Sequence, residues 1–482
     1  MKPEKELIGI TVKKSQDFNE WYNQVVLKAK LADFTEVKGF MAILPNAYEV
    51  WEKIQEYFNV HIKALGHRNA YFPALIPESF LTKEKEHVEG FSPEVFWVTH
   101  AGTEKLEERL ALRPTSETII GKSYAKWVKS WRDLPLLYNV WCSVFRCDTK
   151  MTKIFLRTRE FLWQEGHTAH KNKDEADKEV STILDIYAKM CEELLAIPVL
   201  KGHKSEKEKF PGALYTTTIE GLMPDGRAVQ MGTSHNLGQN FATAFGIKFM
   251  DKDESEKYAW TTSWGFSTRL IGALVMAHGD DKGLVLPPKV APVQVVIVPI
   301  LFEDSKAKVI KATQAIEKKL AGSFRVKHDF REEYTAGWKF NEWEMQGVPL
   351  RIEVGPKDIE KDQVVLVRRD SGKKEFVKMK GLEKAVEKTL EDIQKELLKN
   401  ARKVMEQNTK TVSNFTEFRK VMEDKRGFIK TGWCGSRDCE DKVQKETTAT
   451  LRVIPFEQSK SAGECIVCGK KAKSIVYWAK AY

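Results

Sequence analysis

A chain of 482 residues exceeds what one hydrophobic core usually organises, so a multidomain protein is expected. Hydrophobic residues make up 42% and charged ones 30%, which excludes long disorder, and the longest apolar stretches, such as Val293 to Phe302, are too short to cross a bilayer. Of the net charge of +10, residues 401 to 482 hold +7 (17 Lys and Arg against 10 Asp and Glu), which fits a polyanionic partner there or simply a basic soluble surface.

The chain opens with Lys2, Glu4, Lys5 and Glu6, without an apolar h-region or an Arg-rich presequence, so a cytoplasmic location is expected. Phe18, Trp21, Val25, Val26 and Ala29 recur at helical spacing over 16 to 32, and Tyr48, Val50, Trp51, Ile54, Tyr57 and Phe58 repeat the pattern over 45 to 64. Residues 69 to 77 read as a strand interrupted by Pro73, and 114 to 131 as a helix with Thr115 as N-cap. Residues 136 to 170 alternate in the manner of antiparallel strands, and 172 to 196 form a helix. Three prolines between Leu284 and Pro292 mark a domain boundary. Beyond it, alternating helices and strands predict a small α/β domain with a mixed sheet. A long amphipathic helix follows, striped by Leu382, Val386, Leu390, Ile393, Leu397, Ala401 and Val404.

The richest segment is FLRTREFLWQEGHTAH, residues 155 to 170. Read as a strand, it turns Arg157 and Arg159 one way and sets Trp163, Glu165 and His167 on one face. Such a face suits a small zwitterion: Glu165 for an ammonium, His167 for a hydrogen bond and Trp163 as an apolar wall. The plain alternative is a solvated, charged sheet. A metal held by His167 and His170 is disfavoured, because residues three apart on a strand face opposite sides. Upstream, Arg146 and Asp148 share a face before a loop with Lys150 and Lys153, an arrangement suited to gripping phosphate oxygens. In RPTSETIIG, Glu117 in a first helical turn complements the helix dipole, so capping alone accounts for much of that motif.

These segments, with QMGTSHNLGQNF (230 to 241) and SWGFSTRLIGALVMAHGDDKGLVLPP (263 to 288), stand in the order found in class II prolyl-tRNA synthetases. The chain resembles that family over nearly its whole length: GWKFNEWEMQGVPLRIEVGPKD (337 to 358) looks like its anticodon-binding domain. The C-terminal cysteines and Tyr482 look like its archaeal and eukaryotic branch. The resemblance implies an α/β and α+β multidomain protein: an antiparallel-sheet catalytic domain (1–285), an α/β anticodon-binding domain (286–385), and a long helix with a small zinc-binding α+β domain (386–482).

It also implies roles. Pro73 takes the place of the motif 1 proline, in the segment forming the family's homodimer interface. Arg146 and Arg269 would act on the phosphates of ATP, with Asp148, Arg157, Thr158, Gln230, Thr233 and Ser267 completing the nucleotide contacts. Thr115, Glu117, Arg146, Trp163, Glu165, His167, Phe210 and His235 match the proline pocket, and Glu344 and Arg351 match positions that read anticodon guanines of tRNA(Pro). The last pair has a surface ion pair as its alternative. Two positions depart from the usual class II pattern: Asp148 replaces a motif 2 Glu, and Thr268 stands where many members use a Glu to help hold Mg²⁺.

Cys434 and Cys439, with four residues between them, and Cys465 and Cys468, with two, suit a closed tetrahedral Zn²⁺ site. A redox C-x-x-C is the competitor, without the βαβ setting such a motif needs. The implied activity is conversion of L-proline and ATP to prolyl-adenylate and transfer to tRNA(Pro). Only about a hundred residues separate Glu165 from Ser267, too few for an inserted editing domain. The competing readings are a synthetase-like paralogue that binds tRNA without activating an amino acid, and a sister enzyme for threonine, serine or glycine.

Overall fold

The computed structural model describes residues 9–87, 94–147, 151–458 and 462–482. Readings that rest on Lys2 to Glu6, on Asp148 and on Lys150 lie outside them. Among the described residues no helix is long and apolar enough to cross a membrane.

The two opening helices form where the apolar spacing predicts. Phe18–Lys28 is capped by Asp17, whose carboxylate accepts from the Asn19 and Glu20 N–H groups. Pro45–Ala64 begins with proline, where the missing N–H costs nothing, and buries Val50, Trp51, Ile54, Phe58 and Ile62 along one stripe. The Phe58 ring lies 5.2 to 6.1 Å from the rings of Trp141, Tyr187, Trp264 and Phe266, which project from the back of a large sheet and the helix covering it. Truncating Phe58 to Ala would cost about 3 to 5 kcal/mol through the cavity left behind.

That sheet has eleven strands. From one edge they run Arg68–Ala70, Leu136–Phe145, Glu160–His170, Trp260–Ser267, Ala228–Gly238, Tyr215–Leu222 and Leu200–His203. The series continues without a break into Thr450–Pro455, Ser474–Ala479, Phe428–Trp433 and Thr409–Thr411 of the C-terminal region. All neighbours are antiparallel except the outermost pair at each end. The seam pairs Ile454 with His203 and Pro455 with Gly202, and a Cβ on Gly202 would lie 2.1 Å from the Ile454 carbonyl oxygen. The join between the two regions therefore requires glycine at that strand position.

The proline-rich stretch leads into a five-stranded mixed sheet, ordered Val326–His328, Val295–Pro299, Leu350–Val354, Gln363–Arg368, Lys374–Lys378. The first two pairings are parallel and the last two antiparallel, as a small α/β domain predicts. Arg369 clamps this unit to the first by two 2.7 Å hydrogen bonds to the Asp280 carboxylate. The helix Leu382–Gln407 buries Leu382, Val386, Leu390, Ile393 and Leu397 of the predicted stripe, while Ala401 and Val404 are half-buried.

Three local expectations change. The predicted strand over 69 to 77 is split into Arg68–Ala70 and Leu75–Pro77, which join different sheets on either side of Pro73. The predicted 114 to 131 helix spans only Glu117–Trp127, and its N-cap is Ser116, not Thr115. The strand bearing the pocket residues starts at Glu160. Before it the chain turns, with Lys153 bridging to Arg157 and Phe155 at a φ of 62°, so Arg157 and Arg159 do not share a strand face.

Candidate active site

Strand register decides which side chains meet. Glu165 lies opposite Val140 and Gly265, and His167 opposite Ser263. Ser263 in turn faces His235, and His235 faces Thr216. Because side chains alternate, these residues share the front of the sheet, while Trp264 and Phe266 point back into the aromatic core. Gly166 also turns back, where a Cβ would meet the Trp264 ring at 2.1 Å. The front face, the start of helix Glu117–Trp127 and residues 204–211 enclose a cavity of about 500 Å³. Ligand sites commonly span about 300 to 1,000 Å³.

One end is built around buried carboxylates. Glu165 Oε1 accepts from the Ser116 hydroxyl and from the Cys142 thiol at 3.3 Å. Its Oε2 accepts from the Ser116 N–H at 3.2 Å and is 3.0 Å from His167 Nε2. A carboxylate offers about four acceptor positions, so the neighbours saturate it, and Ser116 sets it against a helix N-terminus that favours negative charge. Burial alone would raise its pKa; His167, Ser116 and Cys142 outweigh that and hold it below the usual carboxylate range. Burial works the other way on His167, where Glu165 prevails and raises the pKa above its ordinary value. Glu117 accepts from the Thr115 hydroxyl. Trp163 stands beside them, its indole N–H donating to Cys142 Sγ at 3.2 Å. His235, held by Thr216 at 2.9 Å and flanked by the Phe210 ring at 4.9 Å, is pushed down to about 3 by burial and then by His167, so it is neutral at physiological pH.

The other end gathers cations. Arg146 follows strand Leu136–Phe145, and its Nε donates to the Pro114 carbonyl at 3.4 Å. Its guanidinium lies 5.7 and 5.9 Å from the Phe161 and Trp163 ring centres. Arg269 opens helix Arg269–His278, where its own N–H donates to Ser267 Oγ at 3.2 Å. Among the described residues the Arg269 guanidinium makes only long bonds, 3.4 Å each, to the Leu156 and Gln230 carbonyls. Burial, then the like charge of Arg146, lowers its pKa to about 10. Gln230 and Thr233 line the same cavity.

Twelve of the sequence-derived residues thus border one cavity: the two arginines, Thr115, Glu117, Trp163, Glu165, His167, Phe210, Gln230, Thr233, His235 and Ser267. Arg157 is exposed and Thr158 donates its hydroxyl to the Glu160 carbonyl at 2.6 Å; neither borders the cavity. Sequence reasoning missed Ser116, Cys142, Lys204 and Thr216. Only the register of the neighbouring strand reveals Cys142, which sits opposite Trp163.

Elsewhere, Arg351 Nη1 donates to Glu344 at 3.0 Å and its other nitrogens to Glu353 at 2.9 and 3.1 Å, so the two predicted anticodon residues are paired with each other. The sulfur atoms of Cys434, Cys439, Cys465 and Cys468 lie within 4.8 Å of one another. Cys434 Sγ is 3.6 Å from Cys439 Sγ and 3.7 Å from Cys468 Sγ. A zinc–sulfur bond of about 2.3 Å implies a tetrahedron edge of roughly 3.8 Å, so the donor set fits the ion.

Comparison with known proteins points the same way. Residues 96–278 match the tRNA synthetase class II core domain (G, H, P, S and T), 294–389 an anticodon binding domain, and 415–482 the prolyl-tRNA synthetase C-terminal domain. The chain is 54% identical to the proline–tRNA ligase of Natranaerobius thermophilus, covering 100% of both chains. It is 54% identical to that of Alkaliphilus oremlandii over the same share of each. A solved structure of prolyl-tRNA synthetase from Cryptosporidium parvum, complexed with halofuginone and AMPPNP, superposes with a TM-score of 0.94 at 45% identity, covering 99% of this chain and 100% of that one.

Proposed function

The chain belongs to the prolyl-tRNA synthetase family, and from that premise we propose how its residues divide the work of joining L-proline to tRNA(Pro) with ATP. The observation that carries the reading is one cavity with a carboxylate-rich end and an arginine-rich end. The imino group of proline binds at Glu117, whose carboxylate has acceptor capacity beyond Thr115, while Glu165 holds His167 in place. Trp163, Phe210 and neutral His235 wall the pyrrolidine ring. Arg146 grips the proline carboxylate and the α-phosphate, and Arg269 the γ-phosphate, with Gln230, Thr233 and Ser267 on the nucleotide. The similar Cryptosporidium protein was solved with AMPPNP, which supports an ATP site in this chain. Attack of the carboxylate on the α-phosphorus needs no side-chain nucleophile; placement and charge stabilisation carry it.

Mg²⁺ accompanying ATP would supply further neutralisation of the phosphate charge beside Arg146 and Arg269. Glu117, Glu165 and His167 bring ligand atoms within 4.8 Å, yet the saturation of Glu165 fits a hydrogen-bonded scaffold better than a magnesium cage. Zinc on the four cysteines is structural in this reading and would contribute about 10 to 16 kcal/mol to folding of the C-terminal module. One zinc per chain, and unfolding of that module by a chelator, is the expected outcome; full stability without metal would reject it. The exposed Tyr71 and Leu75 beside Pro73 support a homodimer through that segment, and the enzyme works in the cytoplasm. Glu344 and Arg351 exchange their mutual pairing for guanine edges of the anticodon. Between Glu165 and Ser267 the chain forms strands and helices of the catalytic unit itself, which supports the absence of an editing insertion.

Pyrophosphate exchange with each amino acid in turn, with and without tRNA(Pro), tests the whole reading. Proline alone should drive robust exchange. Preference for threonine, serine or glycine would point to a sister enzyme, and silence with all of them to a non-catalytic paralogue.

A further inference from the structure

The phosphate end of the cavity borders a buried charge cluster that spans two regions of the chain. Glu220, fully buried on strand Tyr215–Leu222, accepts from Lys204 Nζ at 2.6 Å and from Arg452 Nε and Nη2 at 3.0 to 3.1 Å. Lys204 also donates to the Arg452 main-chain carbonyl at 3.1 Å. Arg452 lies on strand Thr450–Pro455 of the C-terminal region, 232 residues away in sequence, and reaches Glu220 because that strand extends the catalytic sheet. Burial alone would raise the Glu220 pKa, but Arg452 and Lys204 outweigh it and keep the carboxyl ionised.

Glu220 also stands beside the nucleotide machinery. It pairs across the strands with Gln230, and the Gln230 carbonyl holds Arg269 Nη1 at 3.4 Å. A long bond of that kind restrains a guanidinium weakly. A less fully engaged carboxylate next to Gln230 would draw Arg269 out of the cavity, since an Arg fork prefers a carboxylate to a neutral carbonyl.

We propose that Arg452 is a positioning residue for ATP: by saturating Glu220, the C-terminal module keeps that carboxylate from capturing Arg269 and so leaves the Arg269 guanidinium available to phosphate. The proposal rests on the reading of Arg269 as a phosphate ligand. In that view the module completes the catalytic site electrostatically as well as extending its sheet.

Full-length Arg452→Gln, Arg452→Lys and the double variant Glu220→Gln/Arg452→Gln test it, each assayed for KM of ATP, KM of proline and thermal midpoint. Arg452→Gln should raise the KM of ATP about tenfold, the order of one charge-assisted contact, while the KM of proline stays within about twofold. Arg452→Lys should recover part of the loss. The double variant should recover most of it, because without the Glu220 charge nothing competes for Arg269. A double variant no better than Arg452→Gln would overturn the proposal, and so would equal effects on both substrates or a loss of thermal stability alone. Absence of proline-dependent exchange in the wild-type protein would instead defeat the functional reading itself, so the two failures are distinguishable.

Discussion

Two carboxylates on the same sheet face, Glu165 and Glu220, are both buried and both saturated, yet their partners differ. Glu165 is held by a hydroxyl, a thiol, an amide and one histidine, with a second carboxylate, Glu117, close by. Glu220 is held by two full cations, with Arg269 beyond them. The first end of the cavity is therefore short of positive charge and the second has an excess of it. Protein dipoles satisfy a buried carboxylate without neutralising it, so a cavity can be pre-built to attract a cation at one end and a polyanion at the other. A zwitterionic amino acid placed between them has its ammonium and carboxylate oriented before any chemistry begins.

The contrast breaks most visibly at the cationic end. Arg146→Ala and Arg269→Ala should each lower adenylate formation by at least ~10²-fold, the order found when one preorganised charge donor is removed. Near-normal pyrophosphate exchange in either variant would show that phosphate is held elsewhere. The acidic end should answer on a different substrate: Glu117→Gln should raise the KM of proline about 10- to 100-fold, as expected for a lost hydrogen bond between charged groups, and leave the KM of ATP unchanged. A shared effect on both substrates would mean that the two ends are not separable.

Glu165→Gln sharpens the distinction between binding and scaffolding. Its acceptors are already engaged by the protein, so the substitution should cost about 1 to 3 kcal/mol of stability by leaving an amide N–H₂ facing donors. Its thermal midpoint should fall further than that of Glu117→Gln. The reverse order would identify Glu165 as the substrate contact.

How much of this was legible in the sequence follows the same division. The alternation of Trp163, Glu165 and His167 is a period-two signal, and the strand realises it on one face as read. The cysteine spacings bring four sulfurs together as read. Arg157 and Arg159 escape the alternation because the residues before Glu160 turn instead of running straight, which the composition of that segment does not signal. The sequence offers Thr115 as the helix cap although Ser116 holds that place, since both residues are good caps and only the position of Glu165 separates them. The saturation of Glu165 and Glu220 was invisible: Cys142 depends on inter-strand register, and Arg452 on a seam between segments more than two hundred residues apart.

The smallest effect concerns the charge state of the acidic end. His167 has a raised pKa in the folded protein, so the stability it contributes is fully present below the unfolded-state value of about 6.5 and is lost as pH rises through the folded value. Glu165, lowered, contributes stability above about 4.3 that is lost as pH falls through its folded value. The pair therefore supports the fold best between those limits. The gap in thermal midpoint between wild type and His167→Gln should be widest near pH 6 and narrow toward pH 9. Neutral His235 should show the opposite trend: with a folded pKa of about 3 it stays uncharged while the unfolded imidazole protonates below about 6.5, so its contribution grows as pH rises from 6 and levels off above neutrality. A gap that stays constant from pH 6 to 9 would mean that His167 is neutral throughout. The acidic end would then carry two uncompensated carboxylates, and its pull on a cationic imino acid would be stronger than the pairing of Glu165 with an imidazolium allows.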